Sequence, residues 1–190
     1  SVINGFEGEL QRVITGMNGD LVLYSRSEPF SDITRVESRV KQIVPEVTAI
    51  APSLVMELMV SGPGSVAGAV VEGIEWSRAQ KVTEVHKRLI AGALPQPVPV
   101  DEAGALPQVA LGDALASRIG AKVGDEVRLV IPFSEGDLDS GVSSKVVQTR
   151  VSGIIKMGMY EYDSKTVFST LAGNNSQNFE LVNMHENFGV

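Results

Sequence analysis

At 190 residues, with 43% hydrophobic and 21% charged side chains, the chain has the length and composition to bury a core without disulfides or metals. A net charge of −7 and a pI near 4.9 oppose the dense Lys/Arg surface that nucleic acid or anionic lipid requires, so no nucleic-acid partner is expected. The absence of Cys removes disulfides, thiolate metal sites and cysteine nucleophiles from consideration.

Residues 1–17 place Phe6, Leu10, Val13, Ile14 and Met17 three and four apart, the spacing of one face of an amphipathic helix. That stripe reads as the core side of the helix or as an interface with a partner helix, and core packing is the preferred reading. Asn18-Gly19 makes a turn, and Asp20 to Ser25, rich in branched and aromatic residues, reads as a short strand. From Ser31 to Val44, Ile33, Val36, Val40, Ile43 and Val44 repeat a helical period. Ser31 or Asp32 caps that helix and Pro45 ends it. Val47 to Val60, a Ser-Gly-Pro-Gly turn at 61–64 and Val66 to Ile74 read as a β-hairpin. The order so far is β-α-β-β after the opening helix, an α+β arrangement.

The stretch 92–108 holds four prolines, at 95, 97, 99 and 107, and reads as an extended connector and a subdomain seam. Leu111 to Ile119 follows as a short helix with Leu111, Leu115, Ala116 and Ile119 on one face, closed by Gly120. Val123-Gly124-Asp125 turns the chain into a strand over Glu126 to Ile131 with Val127, Leu129 and Ile131 on its apolar side, and another strand spans Val146 to Ile155. Residues 134–144 between them form a polar loop.

No segment approaches the ~20 apolar residues needed to cross a bilayer, and Ser1 stands in mid-pattern with no leader, so the chain reads as an excised piece. Nor is there a phosphate-binding loop, a nucleophile elbow or a paired His metal motif. His86, in TEVHKRL, reads as a solvated helical residue, and His185 lies in a polar tail. The Glu161-Tyr162-Asp163 group offers adjacent carboxylates of the kind used in acid/base work. A turn is the preferred reading, with Asp163 bonding local amides and the tyrosines packing while their hydroxyls stay wet.

Three segments, in order, carry a family resemblance. SVINGFEGEL (1–10) resembles the "SVMNGFE-x-EL" signature that follows the first transmembrane helix of lipoprotein-releasing ABC transporter permeases, the LolC/LolE family. LGDALASRIGAKVGDEVRLVIP (111–132) is similar to that family's helix-turn-strand segment, and VSGIIKMGMYEYDSKTVF (151–168) resembles its strand pair. The outer two are far more specific than the middle one, whose helix, Gly-Asp turn and strand recur in unrelated barrels.

The resemblance implies a MacB-like periplasmic domain of α+β class: a stalk helix and porter-like α+β (βαβ-type) subdomain at 1–75, an inserted, mainly β, sabre-like subdomain at 76–170, and a tail at 171–190 that departs from the family's pattern. It implies a domain on the periplasmic side of the bacterial inner membrane that couples ATP hydrolysis to lipoprotein release. The implied partners are a second permease subunit, cytoplasmic ATPase subunits, lipoprotein cargo and a periplasmic lipoprotein chaperone. No catalytic residue, cofactor or metal is implied.

In the chaperone-recruiting member of that family a protruding hairpin after the strand corresponding to 126–132 grips the carrier. Here that loop reads FSEGDLDSGVSSK (133–145), which lacks the proline-rich, aromatic, Arg-bearing character of such a hook. The contact candidates are Phe133, Glu135, Asp137 and Leu138, against the plainer reading of a solvated tip rich in Gly and Ser. Two rivals stand beside this reading: a permease domain of the macrolide-exporter or cell-division type that binds an adaptor or a hydrolase regulator, and a small-ligand enzyme or sensor with a polar pocket near Asp125.

Overall fold

The computed structural model describes residues 19–23, 25, 30, 32–97, 104–134 and 142–171. The predicted opening helix lies outside them. Helix α1, Ile33–Ile43, begins where Asp32 accepts a hydrogen bond from Arg35 N at 2.8 Å and stops at Val44, whose extended backbone precedes Pro45. Strands β1 (Ser53–Ser61) and β2 (Val66–Ile74) form the predicted hairpin, nine residue pairs in unbroken register from Ser53↔Ile74 to Ser61↔Val66. Leu58 and Val60 on one strand and Ala67, Ala69 and Val71 on the other turn inward by strand alternation.

Beyond the hairpin come the short helix α2 (Trp76–Ala79), a 3-10 turn (Val85–Arg88) and strand β3 (Leu89–Gly92). Strand β4 (Gln108–Gly112), helix α3 (Asp113–Ile119), β5 (Glu126–Ser134), β6 (Val142–Ile155), the single-turn helix α4 (Tyr160–Asp163) and β7 (Thr166–Thr170) complete the described elements. The architecture is α+β: seven strands in one mixed sheet with a few short helices. Its order β3-β6-β4-β7-β2-β1-β5, with β5 also paired to β6, closes the six strands β6, β4, β7, β2, β1 and β5 into a ring, with β3 added outside on β6. Two of the contacts, β2–β7 and β4–β6, are parallel. Hydrogen bonds of this ring run across residue 75, since β1 and β2 pair with β5 and β7.

The ring encloses an apolar core of Val60, Val71, Val109, Leu111, Val127, Leu129, Val151 and Val167, into which α3 inserts Leu115, Ala116 and Ile119. The carbonyls at the end of α3 find partners on the β1–β2 turn: Gly64 N donates to Ile119 O at 2.8 Å and Ser65 Oγ to Arg118 O at 2.9 Å. A second cluster, with Ile74, Trp76, Val85, Ala110, Ile155, Met157 and Phe168, packs on the other face of the same strands. Neighbours such as Val109 and Ala110, or Val167 and Phe168, therefore serve different cores, and all five residues of β7 are buried.

Three sequence readings change. Residues 20–23 and 25 form no strand, and Leu21 and Leu23 are 78% and 61% exposed; with no partner strand to take its backbone bonds, a β-prone run stays irregular. Leu111 belongs to β4, and the helix begins two residues later. The spacing of Leu111, Leu115 and Ile119 mimics a helix, while a strand buried on both faces shows no alternation to betray it. The predicted Val146–Ile155 strand is longer, starting at Val142.

Gly112, at the β4–α3 junction, lies so close to α4 that a Cβ there would come within 2.3 Å of Asp163 O. Gly68, on the exposed side of β2, has no atom within 4 Å of its Cβ position. Gly112→Ala is expected to destabilise the fold by about 1–3 kcal/mol through backbone collision, whereas Gly68→Ala should stabilise it by about 0.5–1 kcal/mol. Urea unfolding of the two variants checks both signs.

Candidate functional site

The β5–β6 hairpin is where the sequence places its contact residues. β1 pairs with β5 only at Arg128, Leu129 and Val130, and β4 joins β6 only from Arg150 onward. Among the described residues, the four pairs Ile131↔Lys145, Pro132↔Ser144, Phe133↔Ser143 and Ser134↔Val142 thus have no third strand beside them. They form a two-stranded arm leaving the barrel wall. Pro132 fits there, because a strand with one free edge can spare an N–H. Phe133 lies in this arm; Glu135, Asp137 and Leu138 lie outside the described residues.

The Glu161-Tyr162-Asp163 group forms α4. Asp163, 4% exposed, accepts hydrogen bonds from Met157 N at 2.8 Å and Gly158 N at 3.0 Å, so its carboxylate fastens the β6–α4 loop, as the turn reading expects. Tyr162 departs from that reading. Its hydroxyl has a side-chain partner on another strand: it donates to Glu72 Oε2 at 2.7 Å in a part-buried contact, and its ring packs on Phe168 at a 6.1 Å centroid distance. Burial, reinforced by the neighbouring carboxylate, raises the Tyr162 phenol above its ordinary range. Burial likewise raises Glu72, with the phenol's hydrogen bond partly opposing the rise.

Glu72 escaped the sequence reading because its partner lies 90 residues away along the chain. The one signal was an acid within the apolar run VAGAVVEGI. His86 also differs from expectation: it sits in the 3-10 turn, half-buried, and its buried Nδ1 has no hydrogen-bond partner among the described residues. His185 lies outside the described residues. Asp125 makes a turn, its Oδ2 accepting from Lys122 N at 2.9 Å. Among the described residues, no group of three or more His, Asp or Glu is placed to hold a metal ion.

A groove of about 240 Å³ lies beside α1, lined by Leu21, Leu23, Ile33, Val36, Val40 and Val82 with others, and Glu72 reaches its rim. Arg78 ties α1 to the barrel beneath it. Its guanidinium donates to Ile50 O at 3.2 Å from Nε and 2.9 Å from Nη2 and pairs with Glu37 of α1.

The described elements make an α+β domain, and Asp163, the α4 carboxylate with hydrogen bonds to loop amides, serves the fold. No protein-family model matches the chain. It is 27% identical over 168 residues, 86% of its own length, to the lipoprotein-releasing system transmembrane protein LolC of Neisseria meningitidis serogroup B. The chain is thus LolC/LolE-like across most of its length, as its three segments resemble, and spans 38% of the length of that relative. Among the described residues no helix is long and apolar enough to cross a membrane.

Two predictions follow from these contacts. A carboxyl whose folded pKa is raised is neutral in both states at low pH; above the ordinary value of 4.5 the unfolded form ionises more readily, and folding stability falls. Wild type should therefore lose stability relative to Glu72→Gln as pH rises from about 4 to about 7, with the difference levelling off above the raised value, measured by urea unfolding across that range. Arg78→Met should leave the barrel folded while amide exchange over residues 33–43 speeds roughly tenfold, the effect of losing about 1–2 kcal/mol of charged hydrogen bonding.

Proposed function

We propose that this domain belongs to the permease of an ABC transporter that releases lipoproteins, standing on the periplasmic side of a bacterial inner membrane. The observation that carries the reading is the likeness to the LolC transmembrane protein over 86% of the chain, which agrees with the resemblance of the three motif segments. In this reading cytoplasmic ATPase subunits hydrolyse ATP, and helix motion reaches the domain through the membrane part. The domain, beside a second permease subunit, couples that motion to detachment of a lipoprotein and its transfer to a periplasmic carrier. The domain contributes shape and contact rather than covalent chemistry.

The MacB-like division into a porter-like part at 1–75 and an inserted, mainly β, sabre-like part at 76–170 belongs to the same reading. The arm is the proposed dock for the carrier. Phe133 and Leu138 would supply apolar anchors, and Glu135 and Asp137 would favour a basic rim on the partner. The described end of the β5–β6 hairpin, with no third described strand beside it, supports this reading.

The test uses immobilised domain and a purified periplasmic lipoprotein carrier. Wild type should retain the carrier, and Phe133→Ala/Leu138→Ala should weaken binding by about tenfold or more, as expected for loss of two central contacts, with an unchanged unfolding midpoint. Equal retention by both proteins would remove the arm from the interface and move the proposed role to the cargo side.

A further inference from the structure

Helix α1 presents an apolar stripe that the described residues cover only in part. Ile33, Val36 and Val40 line the groove, Ile43 is 64% exposed, and no residue of the helix is buried. A surface helix normally turns such a stripe toward a packing partner. The chain itself leads a candidate to the place. Gly19 stands against the groove wall, where a Cβ would come within 2.7 Å of Val82 Cγ1, and Leu21, Val22 and Leu23 continue along the groove. The residues before it in sequence are those with Phe6, Leu10, Val13, Ile14 and Met17 at helical spacing.

We propose that residues 1–17 occupy this groove, with their apolar stripe against Ile33, Val36 and Val40. The dimensions agree. At a helical rise the step from Phe6 to Met17 covers about 16 Å, and the 11 residues of α1 cover about the same. The charges agree too: Arg35, Arg39 and Lys41 stand exposed on α1, and the segment carries Glu7 and Glu9 beside its stripe. A second copy of the chain competes poorly for the groove, because a segment tethered at Gly19 acts at an effective concentration on the order of millimolar. The docking rests on packing alone and holds whether or not the domain serves a transporter.

The chain has no Cys, so an introduced pair reports proximity without interference. Leu10→Cys/Val36→Cys and Ile14→Cys/Val40→Cys are compared with Arg12→Cys/Val36→Cys and Arg12→Cys/Val40→Cys, whose Arg12 position lies across the helical wheel from the stripe. Under mild oxidation of the full 190-residue chain, at least one stripe pair should form an intrachain disulfide on the order of tenfold faster than either Arg12 pair, since bridging needs Cα atoms within about 7 Å. Val36 and Val40 are only half-buried, and circular dichroism confirms that each variant folds. Interchain bridging in place of intrachain bridging would overturn the proposal in favour of a second copy. Equal rates for stripe and Arg12 pairs, or no bridge in folded protein, would overturn it outright.

Discussion

The structure depends on β6, a 14-residue strand that supplies backbone partners to three others. Its first part pairs with β5, and its last residues pair with β4 on one side and β3 on the other. A sheet edge left unpaired inside a core would strand N–H and C=O groups away from water, at a cost comparable to a lost hydrogen bond for each. By holding β5 with one part and β4 with the other, β6 closes the ring and leaves its interior to side chains alone. The β1–β5 contact that completes the circle needs only three residue pairs, because both strands are already placed by longer ladders.

Closure also explains why the α4 region is built as it is. β4, β7 and the end of β6 are covered on both faces, so the loop joining β6 to β7 lies against a filled surface. Asp163 gathers two of the loop's amides, and Arg118 Nη2 reaches Ser164 O at 3.2 Å. Tyr162 spans to Glu72 and packs its ring over Phe168. Asp163, a carboxylate that looks catalytic in a linear reading, is thereby committed to loop geometry, and Glu72 to a part-buried hydrogen bond.

Elements whose partners are near in sequence were legible: α1 with its Asp32 cap, the β1–β2 hairpin, and β5 with Val127, Leu129 and Ile131 alternating inward. The elements missed share a different property. β3 has four residues, and β4 is without a charged or polar side chain from Val109 onward because both its faces are buried, so neither displays a period. The Leu21–Leu23 run has the composition of a strand, but composition cannot supply the neighbour a strand requires. At the candidate site, the pairing of β5 with β6 followed from two adjacent apolar strands around a polar loop. The Glu72–Tyr162 bond could not, since nothing local to either residue names the other.

The β5–β6 arm stands in a different relation to chain length from the rest of the molecule. Its four residue pairs have no third strand beside them in the described sheet, so a longer or shorter tip disturbs no ladder in the ring. Lengthening a surface loop costs little, roughly 0.6 kcal/mol for each doubling. A change in the length of this hairpin is therefore accommodated outside the ring, and the closed barrel does not have to be rebuilt to absorb it.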